Sequence, residues 1–72
     1  MGKWKIFNKE KELIQFESIS KPHKILTTLS PAKMKDSFVM VYDQENKRKI
    51  IDKTFKSKAQ ALKYARSYMR NH

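Results

Sequence analysis

The chain contains no cysteine, which excludes disulfides, thiolate metal ligands and a cysteine nucleophile. Its one glycine is Gly2, so no glycine-rich loop is present to cradle a phosphate. With only two prolines, the composition fits a globular domain better than a disordered tail. No apolar run approaches the ~18 residues of a membrane span. The N-terminus lacks the apolar stretch of a signal peptide, and Ile6 stands where a myristoylation signal has Ser or Thr. These absences lead to the expectation of a cytoplasmic protein without a membrane role. Acidic residues are also scarce: seven Asp and Glu face seventeen Lys and Arg, leaving a formal charge of +10.

What is present must fold within 72 residues, a length expected to give a single domain spanning residues 1–72. A chain this small hides only about 60% of its unfolded surface, so its core must be well used. A hydrophobic fraction of 39%, with eight aromatics among those residues, is sufficient for that. The positive excess favours anionic partners, nucleic acid first. The bland alternative is a charged surface with no partner.

Residues 3–8 alternate and carry strand-favouring aromatics, residues 8–12 are polar, and residues 13–18 read as a return strand, which together make a hairpin. In the second strand Ile14 and Phe16 share one face, with Leu13 and Gln15 on the other. Residues 24–29 are either a further strand or irregular. Ser30 before Pro31 resembles an N-cap followed by proline at the first helical position, which predicts one short helical turn. Residues 37–43 then read as a strand with Phe38, Met40 and Tyr42 on one face and Val39 and Val41 on the other. "QEN" turns the chain, and residues 47–55 return as another strand. A final helix begins after Ser57, whose pairing with Gln60 has the capping-box spacing. Its inward stripe is Ala61, Leu62, Ala65, Tyr68 and Met69. The outward positions Lys63, Arg66 and Arg70 form a basic stripe, but Arg66 and Arg70 also complement the helix dipole. The expected fold is α+β, a small antiparallel sheet of about four strands packed on one C-terminal helix.

Catalytic chemistry finds no constellation. His23 and His72 lie far apart in sequence, and His72, at the chain end, is expected to fray. Together with scattered carboxylates they give no metal-ligand spacing, and no serine sits in a nucleophile-elbow context. The expectation is a non-enzymatic protein with no cofactor and no metal. Nucleic-acid binding requires cations for phosphates and groups that read or stack on bases. Trp4, Phe7, Phe38 and Tyr42 are interleaved with basic residues and are the candidate stackers, with Trp4 and Tyr42 the best placed to escape the core. The candidate contact set is Lys3, Trp4, Lys5, Tyr42, Lys47, Arg48, Lys49, Lys53, Arg66 and Arg70. Its centre is the 47–53 strand, on a sheet face left open opposite the helix.

Residues 47–65, "KRKIIDKTFKSKAQALKYA", resemble the strand–turn–helix junction of the arm-type, AP2-like DNA-binding modules of tyrosine integrases. The likeness extends over residues 37–69. It rests on a basic strand, Phe55, Ser57 before Lys58, and Ala61 and Ala65 packing inward. The resemblance implies a three-stranded sheet whose open face enters the DNA major groove, with Lys47, Lys49 and Lys53 as sheet-side contacts. DNA is therefore expected before RNA. Two further readings remain: an interaction module, of the kind viruses and mobile elements encode, that binds an acidic protein, and a structural part of a ribonucleoprotein particle. Exposed strand edges leave both a monomer and a homodimer open.

Overall fold

The computed structural model describes residues 4–72. Its elements are β1 (Trp4–Lys9), β2 (Leu13–Ser18), β3 (Lys24–Leu29), β4 (Ser37–Asp43), β5 (Arg48–Phe55) and α1 (Lys58–Asn71). All neighbouring strands pair antiparallel in chain order, giving a five-stranded meander with β1 and β5 at its edges. The helix lies over β3, β4 and β5. The architecture is the expected α+β sheet-and-helix, and residues 24–29 supply the fifth strand at its centre.

The helix-facing side explains why the chain closes. Leu26, Val39 and Val41 are fully buried on adjacent strands, and Ala61 and Ala65 meet them from the helix. Alanines at these two positions let the helix backbone approach the sheet closely. Tyr68, Tyr64 and Met69 complete the helix side, while Phe16, Ile51, Phe55 and Trp4 ring the centre from the strands. Leu62 is only half-buried. Burying each Leu or Val contributes roughly 1.5–3 kcal/mol, so so few large side chains make a small core.

The helix starts as its cap predicts. Ser57 is extended, and its side-chain oxygen accepts from the Gln60 amide at 3.2 Å. The return bond differs by one residue, because Gln60 Oε1 accepts from the Lys56 amide. Pro31 opens no helix. A single turn forms there, with the Met34 amide donating to the Pro31 carbonyl at 3.1 Å. Glu12 explains this, since its carbonyl accepts from the Ser30 amide and its carboxylate from the Ala32 amide. The link between β3 and β4 is thereby tied to the β1–β2 turn instead of coiling. His72, expected to fray, is placed with its ring stacked on Tyr68, centroids 4.2 Å apart.

Candidate nucleic-acid interface

Strand register decides which face each charge takes, because directly paired residues share a face. The face away from the helix has three cross-strand rows. One runs Leu13, Leu29, Phe38 and Thr54, and the next runs Asn8, Gln15, Thr27, Met40 and Asp52. The third runs Lys5, Glu17, Ile25, Tyr42 and Lys49. Hydrogen bonds from Asn8 to Gln15 and from Gln15 to Thr27, both 3.1 Å, link the middle row into a neutral ladder. Lys5 lies 3.8 Å from Glu17 and Lys49 lies 3.2 Å from Asp52. Among the described residues, this face therefore has an apolar centre on β3 and β4 with polar residues toward both edges and its charges in balance, and it is not a basic surface.

A bulge accounts for the difference from strict alternation. Val41 pairs with Ile51 and Tyr42 with Lys49, so Ile50 is the extra residue in β5. An extra residue reverses the phase of everything beyond it. Lys49 therefore takes the open face, whereas Lys53, paired with Val39, lies on the helix side with its Nζ 5.3 Å from the Tyr64 ring. Arg48 pairs with the buried Asp43 and also falls on the helix side. Lys47 sits in the turn with φ 53°, a left-handed conformation uncommon outside glycine and asparagine. The expected sheet-side trio of Lys47, Lys49 and Lys53 is thus divided among a turn and two faces.

The other candidates also separate. Lys3 lies outside the described residues. Trp4 packs edge-on against Tyr68 at 6.1 Å between ring centroids, and its buried Nε1 has no hydrogen-bond partner among the described residues. That packing takes Trp4 out of the set of free stacking platforms. Tyr42 remains exposed on the open face, Phe7 is exposed in a second bulge within β1, and Phe38 is half-buried. Arg66 and Arg70 are exposed on the outer side of α1.

Lys56, Lys58 and Lys63 are exposed as well; Lys63 belongs to the basic stripe but not to the candidate contact set, and Lys56 and Lys58 belong to neither. The missed signal is compositional: residues 53–72 carry six Lys and Arg and no Asp or Glu. The helix has no acidic residue in its first turn, although its positive end favours one, and Lys58 occupies its first position. Residues 53–72 thus hold six of the ten net positive charges, most of them on the helix.

The β4–β5 turn is held by Asp43. Its Oδ1 accepts from the Glu45 and Asn46 amides, and its Oδ2 accepts from the Asn46 side chain at 2.8 Å. Those bonds, from the Asn46 side chain first and the Asn46 amide next, hold its pKa below the ordinary carboxylate value, with Arg48 adding a smaller effect. Burial, reinforced by Tyr64 and Asp43, pushes the Tyr68 phenol up. Among the described residues no helix is long and apolar enough to cross a membrane, and no cluster of His, Asp and Glu is arranged to hold a metal. The chain matches no family model, no curated protein and no solved structure.

Proposed function

We propose that this is a cytoplasmic, non-enzymatic nucleic-acid-binding protein that takes the phosphate backbone on its helix side. DNA, as the integrase-module resemblance implies, is the first target. The observation that carries the reading is the acid-free stretch of residues 53–72, most of it one helix with Lys63, Arg66 and Arg70 facing outward. Lys53 extends that surface from the edge strand, where it lies over Tyr64. Stability alone would favour Asp or Glu near the helix start, so Lys56 and Lys58 are better accounted for by an anionic partner. The resemblance implied a three-stranded sheet and major-groove contacts from its open face. Five strands and a charge-balanced open face favour the helix side instead.

Salt dependence tests this reading. Four phosphate contacts give a slope of log affinity against log salt of about −3.6 on duplex DNA. Exchanging Lys63 and Arg66 together for glutamate is expected to weaken binding at least about tenfold and to make the slope shallower by roughly 2. Lys49→Glu on the open face is expected to do much less. A flat salt response, or equal losses from the two sets, would refute the helix-side reading.

A further inference from the structure

We propose that the open face of the sheet is a homodimer interface, in which two copies of this chain pack sheet against sheet. The inference is independent of nucleic-acid binding and rests on the chemistry of that face. Leu13, Ile25, Leu29, Phe38, Met40 and Tyr42 all lie on it, Tyr42 exposed and the other five half-buried, while the helix packs on the opposite side. A sheet face left in water ordinarily alternates to polar residues, whereas here, Thr27 apart, the polar residues lie on β1, β2 and β5 and leave the middle of the face apolar.

Charge identifies the occupant. The chain carries +10, yet on this face Lys5 is set against Glu17 and Lys49 against Asp52. A polyanion finds no net attraction there, and an acidic protein is better served by the helix side. The surface that suits a neutral face with an apolar centre and a polar rim is another such face, and a second copy supplies one. Size is also adequate. Five strands about 4.8 Å apart and roughly 20 Å long give about 500 Å² per copy, so close to 1,000 Å² in total, near the lower limit for a specific interface. The small core of the single chain gives such burial added value.

Edge-to-edge pairing is the competing geometry, and both edges are blunted against it. β1 is interrupted by the bulge at Phe7 and β5 by the bulge at Ile50. Lysines punctuate both edges, Lys5 and Lys9 on one and Lys49 and Lys53 on the other, as in natural sheets that avoid edge association. Face-to-face packing at about 10 Å between sheets leaves the two basic helices on opposite outer surfaces.

Sedimentation of the full chain at increasing concentration reads the proposal directly. Wild type is expected to reach twice the monomer mass at micromolar concentration, and more readily at high salt because the copies repel each other. Phe38→Lys is expected to weaken dimerisation on the order of 30-fold or more, with far-UV circular dichroism unchanged. Met34→Lys, at an exposed apolar residue in the link between β3 and β4 and outside the paired strands, is expected to leave the dimer intact. If Phe38→Lys does not fold, a cross-link still decides. Thr27 is on the middle row of the central strand, so Thr27→Cys should form a disulfide-linked dimer on mild oxidation. Ala59→Cys on the exposed helix surface should not. A wild type that stays monomeric up to on the order of 1 mM, a dimer indifferent to Phe38→Lys, or equal cross-linking by both cysteines would overturn the proposal.

Discussion

The two faces of the sheet differ less in hydrophobicity than in what covers them. Leu26, Val39 and Val41 point to the helix and are fully buried; Leu29, Phe38 and Met40, from the same two strands, point away and are half-buried. Both faces carry large apolar side chains, but only one is covered by the helix. The charges are sorted between the same two sides. Carboxylates match the lysines on the open face, and the helix carries cations alone. The difference teaches that a high net charge need not lie on the sheet surface that looks available for it.

Strand β3 offers the sharpest way to break this comparison, because Leu26 and Leu29 lie on opposite faces of it. Leu26→Ala is expected to cost about 2–5 kcal/mol, a large share of the roughly 4–10 kcal/mol available to a domain of this length. Urea unfolding should show a depleted or lost cooperative transition. In dilute solution Leu29→Ala should cost only about 1 kcal/mol. Near-equal losses in dilute solution would mean that the two faces are not distinct. Ser57→Ala comes next: losing the cap bond to Gln60 should cost about 1 kcal/mol, read from the thermal midpoint.

The last comparison concerns the turn that joins β4 to β5. Asp43 has a folded pKa below its unfolded value. Its contribution is therefore fully present above the unfolded value, near pH 4, and is lost as pH falls through the folded pKa. Asp43→Asn removes the carboxylate that takes three of those bonds. The stability gap between wild type and Asp43→Asn should be widest at neutral pH and narrow on acidification. A gap that stays constant down to about pH 2 would show that the ionised state does not hold the turn.

Much of the architecture was legible in the sequence. The opposed faces of residues 37–43 and of residues 13–18 follow from alternation, and the helix follows from Ser57, Gln60 and its alanines. Residues 24–29 were ambiguous for a physical reason. With Leu26 on one face and Ile25 and Leu29 on the other, a strand apolar on both sides loses the polar–apolar alternation that marks a strand. The candidate site was less legible. Trp4 was expected to be available for stacking, but Tyr68, from the far end of the chain, packs against it. Nor could local sequence predict that Asp43 would be buried, since its turn bonds are local but its burial depends on the strands that flank it, where it pairs with Lys24 and Arg48.

By itself the sequence determined the class of fold, the capped helix and the concentration of unopposed positive charge after residue 52, because these depend on local periodicity, capping and composition. The tertiary structure decided which side of the sheet each charge occupies. A bulge at Ile50 separates Lys49 from Lys53 by reversing the strand's phase, which puts Lys49 on the same face as Asp52, three residues on, while Lys53 joins the helix. A shift of one residue exchanges the faces of a strand, and strand pairing in three dimensions makes that shift.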